Sequence, residues 1–192
     1  MTLAELDLNG TYSYADYLKW NFEERVELLK GKIFKMSPAP NTEHQIISMD
    51  IAGRLWSFLK GNQCRVYPAP FDVRLSRKLA NDKDVLTVVQ PDICVVCDPS
   101  MVDARGCAGA PDIVVEILSP SNSEKELNKK YEIYEQAGVK EYWVVFPVEK
   151  AVLVYTLTDA RFTGSRPMTS GQILTSTVLE GFSIDLKELF ES

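Results

Sequence analysis

The chain carries one short phrase twice: Pro91-Asp92-Ile93-Cys94-Val95-Val96 and, twenty residues later, Pro111-Asp112-Ile113-Val114-Val115-Glu116. In each copy a proline and an aspartate stand before a run of apolar residues, which is the pattern of a buried strand. Carboxylates on two neighbouring buried strands are costly to fold unless something binds them. The repeated phrase therefore predicts the centre of a sheet and a site that involves its acidic residues.

Glu116 is the most informative side chain of the second copy. In an extended strand it shares a face with Asp112, and the residues around it are apolar on both faces. A buried carboxylate must pair with a cation, take up a proton or bind a metal. Asp92 can supply a second oxygen from the preceding strand, and two carboxylates that leave room for water and a phosphate suit Mg²⁺. The alternative is an ion pair between Glu116 and Lys129 or Lys130.

The order of apolar patterns predicts an α/β fold, a mixed β-sheet core flanked by helices. A hairpin is predicted over 25–36 with its turn at Lys30-Gly31, and Pro38 and Pro40 end its second strand. Helices are predicted over 14–20 with Ser13 as cap, from Asn41 to Gly61, and over 123–137 with Ser121 or Ser123 as cap. Further strands are predicted over 64–75, 85–96, 112–118, 141–146 and 151–157, with a mobile connection over 98–110.

Composition indicates an ordinary globular protein. Of the 192 residues, 45% are hydrophobic and 25% are charged, which suffices for a substantial core in one domain over 1–192. No run approaches the roughly 18 apolar residues of a membrane span, and the N-terminus has no apolar signal segment. We therefore expect a cytoplasmic protein without a membrane partner.

The cysteines include one Cys-x-x-Cys pair, Cys94 and Cys97. That spacing occurs in redox and zinc motifs. Cys94 lies in mid-strand, however, and the only histidine, His44, is remote in sequence. Free, buried thiols are therefore favoured for this pair and for Cys64 and Cys107.

The charge of the chain is unevenly distributed. The total of −6 argues weakly against a protein that coats nucleic acid, but residues 54–83 carry seven basic and two acidic side chains, which leaves −11 on the rest. A local basic face can meet phosphates because contact depends on the field at the patch. Arg74, Arg77 and Lys78 are its candidate contacts, and an ordinary solvated face is an equal alternative.

The helix over 123–137 carries a lysine on the side that packs. Leu127, Lys130 and Tyr134 fall on one stripe, whereas Lys129 points about 100° away. A lysine near buried carboxylates can neutralise them or hold an attacking water. A charged stem that reaches out from a core face is nevertheless common.

These residues carry a resemblance to a known family. It rests on Pro111-Asp-Ile-Val-Val-Glu-Ile-Leu-Ser-Pro-Ser-Asn122, on Lys130 and Tyr134, and on Gly138-Val-Lys-Glu-Tyr-Trp-Val-Val145. Towards the N-terminus it includes Glu27 in Val-Glu-Leu-Leu-Lys-Gly-Lys-Ile, then Met36-Ser-Pro-Ala-Pro40 and His44. In these segments the chain resembles the Uma-type family of putative restriction endonucleases, over about residues 10–185.

The resemblance implies the restriction-endonuclease-like fold of the PD-(D/E)XK nuclease superfamily, in which two acidic residues hold a metal and a lysine serves hydrolysis. Carried onto this chain, it makes Asp92 and Glu116, with 23 residues between them, the metal ligands. Glu27 matches an N-terminal acidic residue that ligates metal or orients a water. The superfamily lysine would stand at Leu118, so the resemblance implies Lys130 on the next helix instead.

The implied function is hydrolysis of DNA with Mg²⁺, or Mn²⁺, as cofactor and with Asp92, Glu116, Lys130 and Glu27 as the catalytic set. His44 could assist as acid or base, or could be a capping or core residue. Asp112 is expected at the strand entrance or behind the ligands.

Two other classes of function stay open at this point. One is a nuclease-fold module that binds nucleic acid without cleaving it, which Leu118 and the acidic body favour. The other is a structural protein whose acidic cluster is only ion-paired. A homodimer is also conceivable, through Tyr142 and Trp143 or through residues 182–190, although the latter segment could equally dock on the core.

Overall fold

A computed structural model of the chain describes residues 3–36, 41–76, 80–119 and 124–191. Several sequence-based expectations fall outside these ranges. They are the strand-closing prolines Pro38 and Pro40, the helix caps Ser121 and Ser123, and the basic side chains Arg77 and Lys78.

The described residues form four α-helices and fifteen strands. The helices are α1 (Tyr14–Tyr17), α2 (Thr42–Leu59), α3 (Glu124–Ala137) and α4 (Leu186–Glu191). The strands are β1 (Val26–Leu29), β2 (Lys32–Lys35), β3 (Arg65–Pro68), β4 (Val73–Arg74), β5 (Val88–Val89), β6 (Ile93–Val96), β7 (Val102–Asp103), β8 (Gly106–Ala108), β9 (Ile113–Ile117), β10 (Glu141–Phe146), β11 (Ala151–Thr158), β12 (Arg161–Gly164), β13 (Met168–Thr169), β14 (Ile173–Thr175) and β15 (Ser183–Asp185). Single-turn 3₁₀ helices cover Leu3–Glu5 and Pro99–Met101.

Two sheets carry the fold. The central one has the order β12-β11-β10-β9-β6-β3, with β13 beside β11, and the second has the order β2-β1-β5-β4-β8-β7. In the central sheet β9 and β10 are parallel and are connected through α3, whereas β6 is antiparallel to β9. This mixed sheet flanked by helices confirms the predicted fold class.

The middle strands of the central sheet, β6 and β9, are buried on both faces. Side chains alternate along β9, so Ile113, Val115 and Ile117 join one core, which α2 and α4 cover. Val114 joins the opposite core, which contains Tyr134 of α3. A strand covered on both faces reads as a continuous apolar run, which is why the phrase around Glu116 lacks polar alternation.

The two predicted strands over 64–75 and 85–96 are not continuous. Each breaks near a proline, Pro70 in the first and Pro91 in the second, because proline has no N–H to donate to the ladder. The two breaks separate β4 and β5, which pair in the second sheet, from β3 and β6, which pair in the central one. The corner between the sheets therefore lies next to Asp92. The predicted open connection over 98–110 also contains two short strands, β7 and β8.

The expectation of free thiols is wrong for Cys64 and Cys97, which form a disulfide. They flank β3 and β6, whose antiparallel pairing places them at the same end of neighbouring strands. The partner of Cys97 is thus across the sheet and not at the Cys-x-x-Cys spacing. Cys94 and Cys107 are free and buried, as predicted.

Other surface roles suggested by the sequence do not fit the fold. Tyr142 and Trp143 are almost fully buried, so they cannot form an interface. Phe182, Ile184 and Leu186 pack in the core beside α2, which confirms that the C-terminal segment docks on the core. Among the described helices, none is both long enough and apolar enough to cross a membrane.

The basic segment does not present all its charges to solvent. Arg74 is 4% exposed and pairs with Asp103 at 2.7 Å. Arg54 pairs with Asp50 and with Glu188. Arg74 is therefore not a surface phosphate contact, because its side chain is committed inside the protein.

Candidate active site

The pairing of β6 with β9 brings the two predicted ligands together. Ile93 lies opposite Val115 in this antiparallel ladder, so the next position outward places Asp92 opposite Glu116. The two copies of the repeated phrase run in opposite directions, and the start of one therefore meets the end of the other. The acidic pair thus joins the aspartate of the first copy to the last residue of the second copy, and it lies at the corner between the sheets.

Asp112, the aspartate of the second copy, lies at the other end of this strand pair. Its Oδ2 accepts a hydrogen bond from Cys97 N at 2.7 Å, and its Oδ1 lies 2.6 Å from Lys140 Nζ. It fixes the entrance of β9 and takes no part in the acidic pair, in agreement with the first of the two roles expected for it.

Asp92 is held from two sides. Its Oδ2 accepts a hydrogen bond from Ile117 N at 2.7 Å, and His44 Nε2 lies 3.3 Å from the same oxygen. Within the described part of the chain, no donor reaches Asp92 Oδ1. One carboxylate oxygen is thus committed to the fold, and the other remains available to a ligand.

Glu116 shows the same division of its oxygens. Its Oε1 accepts hydrogen bonds from Lys130 Nζ at 2.9 Å and from Tyr134 OH at 2.7 Å, whereas no described donor reaches Oε2. Burial is the main cause that raises the pKa of Glu116 to about 7, against the lowering effect of the Lys130 charge; the charges of Asp92 and Glu27 raise this pKa as well. A cation bound at this carboxylate would therefore compete with a proton near neutral pH.

Lys130 connects Glu116 with Glu27, which lies on β1 of the second sheet. Its Nζ is 3.2 Å from Glu27 Oε1, and that oxygen also accepts a hydrogen bond from Gln90 N at 2.8 Å. Burial lowers the pKa of Lys130, but the carboxylates of Glu116 and Glu27 outweigh it and hold this pKa well above its usual value. Lys130 is therefore a permanent cation at neutral pH.

His44 has one of the roles that the sequence left open, that of a buried hydrogen-bonding residue, whereas the helix cap is Asn41. Its backbone N donates to Asn41 Oδ1 at 2.8 Å, in the first turn of α2, and its ring contacts Asp92. The side chain is buried, and Nδ1 has no partner among the described residues. Burial lowers the pKa of His44, but its hydrogen bond with Asp92 and the charge of that carboxylate outweigh this effect and raise it.

A pocket of about 320 Å³ collects these side chains. Glu27, Asp92, Glu116 and Lys130 all line it, so the structure brings together every residue of the predicted catalytic set. Its lining also includes residues that sequence reasoning missed, among them Arg25, Gln45, Ser48 and Gln90. Arg25 could have been found by strand alternation, because it stands two positions before Glu27.

The carboxylate oxygens of the pocket suit a hard divalent cation. Asp92 and Glu116 each present an oxygen without a described donor, and carboxylate oxygens are preferred by Mg²⁺ and Mn²⁺. Both could hold such an ion, with water completing its shell. Among the described side chains, no group of three or more His, Cys, Asp or Glu residues is arranged to hold a metal.

The chain is similar in sequence and in fold to known proteins. Residues 14–187 match the model of the Uma2 family, described as "Putative restriction endonuclease". An uncharacterized protein of Synechocystis sp. is 26% identical over 121 residues, which cover 62% of this chain and 60% of that protein. The chain thus matches less than two thirds of that relative's length.

The fold is also found in a crystal structure described as "a putative nuclease belonging to DUF820" from Anabaena variabilis. The two structures superpose with a TM-score of 0.72, over 94% of this chain and 98% of the other, at 22% sequence identity. A likeness at that identity shows the fold. Because the family model covers most of the chain, the protein belongs to the Uma2 family of putative restriction endonucleases.

Proposed function

We propose that the protein is a metal-dependent endonuclease that hydrolyses phosphodiester bonds in DNA. The observation that carries this proposal is the acidic pair, Asp92 opposite Glu116, in a pocket that also holds Lys130. Membership of the Uma2 family supports nuclease chemistry.

Asp92 and Glu116 would hold Mg²⁺ or Mn²⁺ through the oxygens that the protein does not use. When bound, the ion supplies stabilisation of negative charge on a phosphate and acidifies water. The protein keeps both ligands oriented: Ile117 N holds Asp92, and Tyr134 OH holds Glu116.

Lys130 would act electrostatically in this reaction. A lysine whose pKa is raised stays protonated at neutral pH, so it can stabilise charge that develops on the phosphate but is unsuited to take up a proton. It also keeps Glu27 and Glu116 in place through its two ion pairs.

The second candidate is a module with the same fold that binds DNA without turnover. Leu118 favours it, because this residue lines the pocket where the superfamily pattern has its lysine. The engagement of Lys130 by two carboxylates favours it as well, since these contacts compete with a substrate phosphate for the ammonium group.

The repeated phrase offers a matched test of the nuclease proposal. Asp92→Asn and Glu116→Gln should each lower Mg²⁺- or Mn²⁺-dependent cleavage of duplex DNA at least about 100-fold, since several kcal/mol of transition-state stabilisation is lost. Asp112→Asn is the control: asparagine can still accept from Cys97 N, and only the pair with the exposed Lys140 is lost. It should cleave like the wild type.

Cleavage is measured on labelled duplex DNA and on RNA of the same sequence, with Mg²⁺, Mn²⁺ or EDTA. A wild-type protein that cuts neither substrate, but binds DNA, supports the second candidate. Cleavage of RNA alone would overturn DNA as the substrate. Equal losses in Asp92→Asn and Asp112→Asn would remove the distinction on which the site rests.

A further inference from the structure

Arg25 is a cation of the pocket that the proposed chemistry does not use. It directly precedes β1 and stands two residues before Glu27, on the same face of the chain. Its side chain is exposed and lines the pocket together with Asp92 and Glu116. An arginine in this place meets whatever enters the pocket from solvent.

The charge of Arg25 is not neutralised by a neighbouring carboxylate. Its Nε and Nη2 donate to Gln90 Oε1 at 3.2 and 2.6 Å, and none of the described carboxylates lies within ion-pair distance of it. By contrast, Arg54, Arg74 and Arg105 each pair with an acidic side chain. A neutral amide orients Arg25 and leaves its positive charge available.

Gln90 is itself fixed in one orientation. Its Nε2 donates to Asp72 Oδ1 at 2.7 Å and to Tyr17 OH at 3.2 Å, so its oxygen must face Arg25. The backbone N of Gln90 also donates to Glu27 Oε1. One residue therefore positions both Arg25 and Glu27 at the edge of the pocket.

The charge balance of the pocket shows what Arg25 can bind. Lys130 is held by two carboxylates, and among the described residues the acidic and basic side chains that line the pocket are two cations and three carboxylates. A polyanion that approaches Asp92 and Glu116 needs a cation that is not already engaged. The guanidinium group suits a phosphate because its fork of donors matches two phosphate oxygens.

We propose that Arg25 is a phosphate-binding residue of this pocket, oriented by Gln90, that contacts the nucleic-acid backbone without reading its sequence. This assignment rests on the proposed function, because it takes a phosphodiester as the ligand. It is distinct from the catalytic set, since Arg25 contacts none of those side chains through its guanidinium group in the described structure.

The salt dependence of DNA binding tests this assignment. Fluorescence anisotropy measures the affinity of two unrelated 20-base-pair duplexes over a series of NaCl concentrations, with Ca²⁺ in place of Mg²⁺. Arg25→Ala should weaken the binding of both duplexes about tenfold or more. The plot of log affinity against log salt should also become less steep, by about 0.9 in the magnitude of its slope. Arg25→Lys should keep the slope, because the charge is retained.

Arg166→Ala provides the matched control. Arg166 is exposed, lies outside the lining of the pocket and forms no ion pair with a described carboxylate. Its removal should change neither affinity nor slope. Thermal unfolding shows whether each variant is folded. Arg25→Gln, which removes the charge but keeps a long polar side chain, takes the place of Arg25→Ala if that variant is not folded, and the same loss of affinity and slope is expected of it.

The outcomes separate this inference from the proposed function. If the wild type cleaves DNA and Arg25→Ala keeps its affinity and slope, the Arg25 assignment is overturned and the nuclease stands. If the wild type cleaves nothing, but Arg25→Ala makes the salt dependence of DNA binding less steep, the Arg25 assignment stands and the nuclease proposal is overturned. An effect on only one duplex would mean base reading and would overturn the assignment, as would a wild type that binds neither duplex.

Discussion

Lys130 is the residue on which the buried acidic cluster depends. It is the cation that contacts both Glu116 and Glu27, and each of the three residues is at most 8% exposed. A complete buried ion pair adds little to the stability of a protein compared with apolar side chains in its place. Removal of one partner is strongly destabilising, because the other charge then stays buried without a counter-charge. The lysine thus stabilises the arrangement that the proposed ligands require.

Substitution of Lys130 tests this dependence. Lys130→Met should lower the free energy of unfolding by about 3–5 kcal/mol at pH 8, above the raised pKa of Glu116, because two carboxylates lose their cation. Lys129→Met, one position along α3, removes a cation that lies 4.1 Å from the ring of Phe34 and should cost less than about 1 kcal/mol. Urea denaturation measures both, and equal losses would contradict the buried pair.

The β1–β2 hairpin is the element that delivers Glu27 and Arg25 to the pocket. Its turn, Lys30-Gly31, has positive φ at both residues, 52° and 78°, as a two-residue hairpin of this hand requires. Glycine at the second position is needed for its backbone conformation and for space. A Cβ at Gly31 would lie 2.6 Å from Thr11 Cγ2.

A substitution of the turn glycine tests this element, and a glycine substitution in α2, with the opposite expected effect on stability, is its control. Gly31→Ala should destabilise the protein by about 1–2 kcal/mol, because it adds left-handed strain and a close contact. Gly53→Ala, in the interior of α2 with nothing within 4 Å of its added Cβ, should stabilise it by about 0.5–1 kcal/mol. The midpoints of thermal unfolding of the two variants should shift in opposite directions by a few degrees. A higher midpoint for Gly31→Ala would show that the turn is not strained as described.

At the scale of the whole molecule, charge limits how DNA can be bound. The chain carries a net charge of −6, and the described lining of its pocket has three carboxylates against the two cations Arg25 and Lys130. Two arginines of the predicted basic segment, Arg54 and Arg74, are engaged in ion pairs. A polyanion therefore meets an unfavourable field at the pocket unless a divalent cation occupies it.

The affinity for DNA should accordingly depend on divalent cations. We expect a duplex to bind at least about tenfold more weakly in EDTA than in Ca²⁺ at the same ionic strength, because the acidic pair then repels the backbone. Asp92→Asn should reduce this difference, since one of the repelling carboxylates is gone. Anisotropy titrations measure it, and equal affinity in EDTA and Ca²⁺ would contradict a cation-dependent pocket.

Local features of the fold were predictable because their signals lie within a few residues. The turn at Lys30-Gly31, the start of a helix after Asn41 and the stripe that buries Lys130 all follow from short patterns, and the structure confirms them. The breaks near Pro70 and Pro91 were missed. The prolines are visible in the sequence, but whether the chain resumes in the same sheet depends on strands elsewhere.

The sequence identified Glu116 as a buried acidic residue and Asp92 as its companion, because a charge within an apolar run is a local signal of function. The tertiary structure established what no local pattern contains. It places Asp92 directly opposite Glu116, brings Glu27 to the pocket from a second sheet, and joins Cys97 to Cys64 in a disulfide. Lys130 and Glu27 are 103 positions apart, yet their side chains are 3.2 Å apart. Such contacts depend on strand register and on the packing of the two sheets, and both are set by the whole chain.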